Sequence, residues 1–201
     1  MFVTLVISCR ICASDAGDKT INYEFLSGHD RGSIYWARII AGIMWSVILT
    51  MALFYLPILI FSAVNGWGLE LDAGNAIIRL FLALLPAIRL SAFFMMTASI
   101  LRSSGKGIAL GYGFVMVMVI LISIIQDVLN LDITWQFAFS NVMSLLSFEN
   151  SRNMVINGET VTVYDSALSS GMVVGTILAS AAATFIYTYI AYDIFKKKDR
   201  D

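Results

Sequence analysis

Three stretches of this chain contain no charged residue: Ile39 to Val64 over 26 residues, Gly107 to Gln126 over 20 and Gly171 to Tyr192 over 22. About 20 apolar residues suffice for a helix to cross the hydrocarbon core of a bilayer. A fourth window, Ala76 to Leu101, is equally long but carries Arg79 and Arg89. Inside lipid every backbone N–H and C=O must find its partner within the segment, so runs of this length are spanning helices. Composition agrees. Of the 201 residues 59% are hydrophobic and 13% charged, about half the roughly 25% of a soluble domain. The expected fold is an all-α integral membrane protein forming one domain over 1–201, with spans at 35–64, 76–101, 107–128 and 171–195.

The N-terminus, MFVTLVISCRIC, has no basic residue ahead of its apolar run and no small-residue cleavage site, so it does not read as a signal peptide. Its apolar part is too short to span. A partial helix over 1–13 is expected, either interfacial or the end of a longer helix. Orientation follows from the enrichment of Lys and Arg in cytosolic loops. Lys196, Lys197, Lys198 and Arg200 follow the last span and put the C-terminus inside. Counting back places Arg10, Lys19, Arg31 and Arg38 inside too, together with Arg102 and Lys106 in the link RSSGKG. The outer segments hold only Arg152. The reading is a multi-pass protein of the cytoplasmic membrane with a cytosolic C-terminus.

The first outer segment, NGWGLELDAGN, is a short loop with Trp67 at headgroup level. The second, 129–170, is longer. ITWQFAFSNVMSLLSF is too interrupted to span and suits a re-entrant or interfacial helix. Further on, Asn157-Gly158 between alternating apolar residues suits the type I′ turn of a small β-hairpin.

Several chemistries lack their residues. The single histidine, His29, falls in a cytosolic loop, and no metalloprotease, nucleophile-elbow or paired-aspartate pattern occurs. Gly105-Lys106 lacks the Ser/Thr and the upstream glycine of a phosphate loop. Cys9 and Cys12 form a lone CxxC with no second pair, which reads as two thiols at a membrane edge rather than a metal or redox site. No catalytic, metal or cofactor site and no nucleic-acid-binding feature is expected on this chain.

The exception to the apolar rule is Arg89, ten residues beyond Arg79 and so roughly 15 Å deeper. Insertion scales put a charge at the helix centre at about +2.5 to +3.5 kcal/mol, so Arg89 is expected to face protein or water. Pro86 frees the carbonyl of Leu82, a candidate acceptor for the guanidinium. The alternatives are a polar spot on a translocation path or subunit interface, and a locally satisfied or snorkelling arginine. Arg79 reads as a snorkelling anchor. Pro57 is expected to kink the first span. Gly171-x-x-x-Gly175, continued by Ala179 and Ala183, makes a smooth face for close helix packing in the bundle or a dimer.

Between the partial helix and the first span lies DKTINYEFLSGHDRGSIYW. Asp18 or Thr20 can cap a short helix here and Gly28 can end it in the left-handed conformation. Ile21, Phe25 and Leu26 form an apolar stripe with Asn22 and Glu24 off it. So short a helix is marginal alone and needs a surface to lie on, either a soluble partner or the lipid headgroups.

The pattern Thr20, Tyr23-Glu24-x-Leu26-x-Gly28-x-x-Arg31, followed by aromatics and a basic residue, resembles the cytosolic coupling segment of ABC-2 type permeases, the membrane subunits of ATP-binding cassette exporters. The rest follows the family's order: a span, a short outer loop, a returning span, a tight basic link, a span, an outer re-entrant element and a last span ending in Phe195 to Asp199. The family has six spans, two of them before the coupling segment. Here MFVTLVISCRIC resembles the cytosolic end of the second, so the first span and most of the second are lacking from this chain. The resemblance implies that 15–33 couples to a separate ATPase subunit, which binds the ATP and Mg, and that a second permease subunit completes a homo- or heterodimer. It implies a turn at Gly28, polar contacts from Glu24 and Arg31, and a docking cleft filled by Phe25 and Leu26 beside Tyr23. The competing reading is a non-transporting immunity-type or scaffold protein derived from such a permease. The chain itself is not expected to be an enzyme.

Overall fold

The computed structural model describes residues 2–18, 26, 28, 30–65, 73–129, 136–146, 151–156, 159–164 and 168–197. Four of its helices, over Gly32–Val64, Gly74–Leu101, Ser104–Ile125 and Ser170–Lys196, are long and apolar enough to cross a membrane. This is the architecture of a multi-pass membrane protein.

In chain order, α1 is Phe2–Asp18 and α2 is Arg31–Thr50, which runs through a π-helical turn, Met51–Tyr55, into α3, Leu56–Asn65. Then come α4, Ala73–Leu101; α5, Ser104–Leu129; the short α6, Ala138–Leu146; strands β1, Ser151–Ile156, and β2, Glu159–Tyr164; and α7, Ser170–Lys197. The strands pair antiparallel with Ile156 opposite Glu159. The turn assigned to Asn157-Gly158 lies outside the described residues.

The spine of the bundle is α4. It packs against α1, α2, α5, α6 and α7. Its buried residues include Leu82, Ala83, Ala87, Leu90, Ala92, Phe94, Met95 and Ala98. Small residues let neighbours come close, the usual basis of helix association in lipid, where tail-to-tail transfer offers no hydrophobic gain. A β-carbon on Gly107 of α5 would lie 2.9 Å from the Cα of Ala98, and one on Gly42 of α2 would lie 2.3 Å from Met95 Sδ.

The helix α1 is longer than its apolar run suggests. It continues from Ala13 to Asp18; the short helix expected after it falls on residues that lie mostly outside the described ones. Leu5, Cys9 and Ala13, at four-residue spacing, pack with Leu90, Phe94 and Ala98 of α4 and Val115 of α5. Hydrogen bonds reinforce this junction. Ser8 and Ser91 share one at 2.8 Å, and Ser91 Oγ donates to the Gly42 carbonyl at 3.4 Å.

Asp30 caps α2, its carboxylate accepting from Gly32 N–H at 3.0 Å. Pro57 does not break the span. Proline has no N–H for the carbonyl four residues back, and its ring crowds that carbonyl. The chain widens one turn earlier instead, with Leu56 N–H donating to the Met51 carbonyl five residues back. Tyr55, in this turn, donates its hydroxyl to the Leu80 carbonyl of α4. The link between α4 and α5 is only Arg102 and Ser103, with Arg102 at φ 49°, so Gly105, Lys106 and Gly107 belong to α5. Where α2 begins and α7 ends, Tyr35 lies 5.4 Å from Tyr192 and 5.6 Å from Phe195 between ring centres. Its hydroxyl donates to the Thr188 carbonyl at 2.7 Å.

Candidate functional site

Of the two arginines of α4, Arg79 departs from its expected role, and Arg89 faces protein as expected but with a different acceptor. Arg79 is fully buried inside the protein and is not a snorkelling anchor. Its six-residue distance from the start of α4 fixes its depth, but neighbouring elements enclose the helix at that level too. Arg89 is half-buried, twelve residues before the end of α4 and hence about 18 Å from it. Its acceptor is not the Leu82 carbonyl freed by Pro86. Nη2 donates to the Gln136 carbonyl at 2.6 Å. Pro86 itself is buried in an unbroken α4.

Gln136 leads directly into α6, and the bond to Arg89 ties the beginning of that helix to the middle of α4. Two further contacts set the depth of α6. Ala138 and Phe139 pack on the cluster around Leu90 and Phe94. Leu145 packs with Leu82 and Ala83, two turns nearer the start of α4. The helix therefore runs alongside α4, with Asn141, Val142 and Leu145 fully buried. That burial separates it from a helix resting in the headgroup layer. Asn141 is locked to α7, its Nδ2 donating to Thr176 Oγ1 at 2.9 Å.

Between α4, α5, α6 and α7 a cleft of about 50 Å³ opens at Arg89. Its walls are Leu90, Phe93, Phe114, Met118, Val119, Ile122 and Phe137, with hydroxyls only from Ser140 and Tyr187. Phe93 makes ring contacts with Phe114 at 4.9 Å and Tyr187 at 5.5 Å. Arg89 Nη1 is buried and has no hydrogen-bond partner among the described residues. The arrangement is one cation, anchored on one nitrogen and open on another, in an aromatic and aliphatic recess. Sequence reasoning found Arg89. It missed the walls, because residues from four helices converge only in the folded chain.

Other sequence-singled residues are dispersed. Tyr23, Glu24 and Phe25 lie outside the described residues. Leu26 is 82% exposed, and Gly28 takes a φ of 84°, which an L side chain rarely adopts. Arg31 is the first residue of α2. On α7, Gly171 has open space around it, and the buried positions are Thr176, Ser180, Thr188 and Ala191. The face against α4 is thus one residue round from Gly171, Gly175 and Ala179. Cys9 and Cys12 are free thiols, Cys9 Sγ donating to the Phe94 carbonyl at 3.5 Å. Among the described residues no three metal-ligating side chains converge.

No protein-family model, no curated protein and no solved structure matches this chain.

Proposed function

We propose that this chain is a membrane-spanning permease subunit of an ATP-binding cassette exporter, coupled through residues 15–33 to a separate ATPase and paired with a second permease subunit. The observation that carries this reading is the order of the elements. A helix is followed by a polar segment with a glycine at positive φ and an Asp30-capped span. A second span, a two-residue basic link and a third span follow, then a half-length helix held inside the bundle, a strand pair and a last span. A membrane-buried arginine beside a cleft suits a path for cargo. The charge pattern supports a cytosolic C-terminus in the cytoplasmic membrane. ATP hydrolysis on the partner would move the coupling segment against α2 and rock the spans.

The test is co-purification of the chain with an ATPase that carries its own phosphate loop. Glu24→Lys or Arg31→Glu is expected to reduce the association while leaving membrane insertion intact. Undiminished association of both variants would refute the coupling assignment. Absence of any ATPase partner would favour the non-transporting scaffold.

A further inference from the structure

We infer that the cleft at Arg89 binds the anionic headgroup of a single-chain amphiphile, a carboxylate or phosphate monoester whose apolar tail runs out into the bilayer. Three observations carry this. The first is charge. The Gln136 carbonyl occupies Nη2 and holds the guanidinium still, while Nη1 stays buried without a hydrogen-bond partner among the described residues. A buried N–H of a charged group left unpaired is strongly unfavourable, and guanidinium matches carboxylate and phosphate oxygens in geometry.

The second is the lining. Besides Arg89 the walls bring only Ser140 and Tyr187, while Phe93, Phe114, Phe137 and Met118 present apolar surface. The third is size and access. About 50 Å³ exceeds the roughly 10–15 Å³ that one water needs but accommodates only a compact headgroup and its first carbons. Phe114, on the wall, is 42% exposed, so the recess opens towards the apolar exterior of the bundle where a tail would lie. The start of α6 at Gln136–Ala138 adds the positive end of a nine-residue helix on the same side as the guanidinium.

A headgroup bound here sits about 18 Å from the end of α4, near mid-bilayer, where an unpaired anion is strongly unfavourable. The site thus selects for charge and tail together. It goes beyond ATPase coupling and is tested without nucleotide or partner subunit.

The purified full-length chain in neutral-lipid nanodiscs is photolabelled with a diazirine derivative of hexadecanoic acid, and adducts are mapped by mass spectrometry. Labelling is expected on the segments carrying Phe93, Phe114 and Met118. Hexadecanoate and hexadecyl phosphate should compete, hexadecanol at least about tenfold less well, because it lacks the charge-assisted hydrogen bond. Inorganic phosphate at millimolar concentration should not compete. Arg89→Gln should cut labelling about tenfold and Arg89→Lys should retain most of it, with monodispersity of each variant checked by size exclusion. The acid-against-alcohol comparison uses the unaltered chain, so it stands even where Arg89→Gln fails to fold. Equal competition by hexadecanol, competition by inorganic phosphate alone, or adducts confined to other helices would each overturn the proposal.

Discussion

The successive spans α4 and α5 are joined by two residues, yet they relate to their surroundings in opposite ways. In α4, 56% of the most apolar window is buried inside the protein; in α5 the figure is 17%. The more enclosed helix is the less hydrophobic one. It carries Arg79, Arg89, Ser91 and Thr97, whereas α5 exposes Leu110, Phe114, Val117, Ile120, Leu121 and Ile124. In water the order would be reversed. In lipid an outward apolar face is already solvated, and polar side chains move to the helix that other helices surround. The burial of α4 also explains its small residues, since Ala83, Ala87 and Ala98 admit neighbours that larger side chains would hold off.

The contrast is broken most severely where α5 touches α4. Gly107→Leu puts a side chain where even a β-carbon meets the backbone of Ala98 at 2.9 Å, and overpacking of this kind costs about 1–3 kcal/mol or more. The expected readout is loss of the monodisperse species in mild detergent and a lower midpoint in SDS titration. Next, Asn141→Leu removes the buried pair that fastens α6 to α7. In a double-mutant cycle with Thr176→Val the coupling is expected at about 0.6 to 1.7 kcal/mol, the range for hydrogen bonds between membrane helices. Gly113, on the same helix as Gly107 but with nothing within 4 Å, should respond oppositely. Gly113→Ala is expected to stabilise by about 0.5–1 kcal/mol in the same titration, the helix-propensity gain alone. The smallest effect belongs to Leu121→Ala on the outer face of α5, within about 0.5 kcal/mol of the unaltered chain.

The spans were legible in the sequence because length and apolarity are properties of the chain itself. Facing directions were not. Arg79 and Arg89 were ranked by depth, with the shallower one read as a surface anchor, but depth along a helix does not say what surrounds it. Arg79 is enclosed and Arg89 borders a cleft. The glycine spacing of α7 leaves open packing in the bundle or in a dimer, and the face enclosed within the chain lies one residue round from it, because Thr176 and Ser180 are nearly as small and the threonine also offers a hydrogen bond to Asn141. Pro57 marks the expected kink, and the structure adds a feature the sequence does not announce, a preceding turn widened to π geometry. The end of α1 was placed where the sequence turns polar, but Ala13 and Ala16 favour helix and carry it to Asp18. The cleft at Arg89 had no sequence signal beyond the arginine.

The central claim is that α4 is the protein-enclosed spine of the bundle and α5 a lipid-facing wall. The direct measurement is oxygen and nickel-chelate accessibility of single spin labels in lipid bilayers, in a background with Cys9 and Cys12 replaced by Ala. Labels scanned from residue 82 to 98 on α4 and from 110 to 124 on α5 compare the two helices at matched depth. The account predicts low oxygen collision rates at Ala83, Ala87 and Ala92, and high rates recurring at helical spacing through Val117, Ile120 and Ile124. Oxygen exposure along α4 as high and as periodic as along α5 would contradict it.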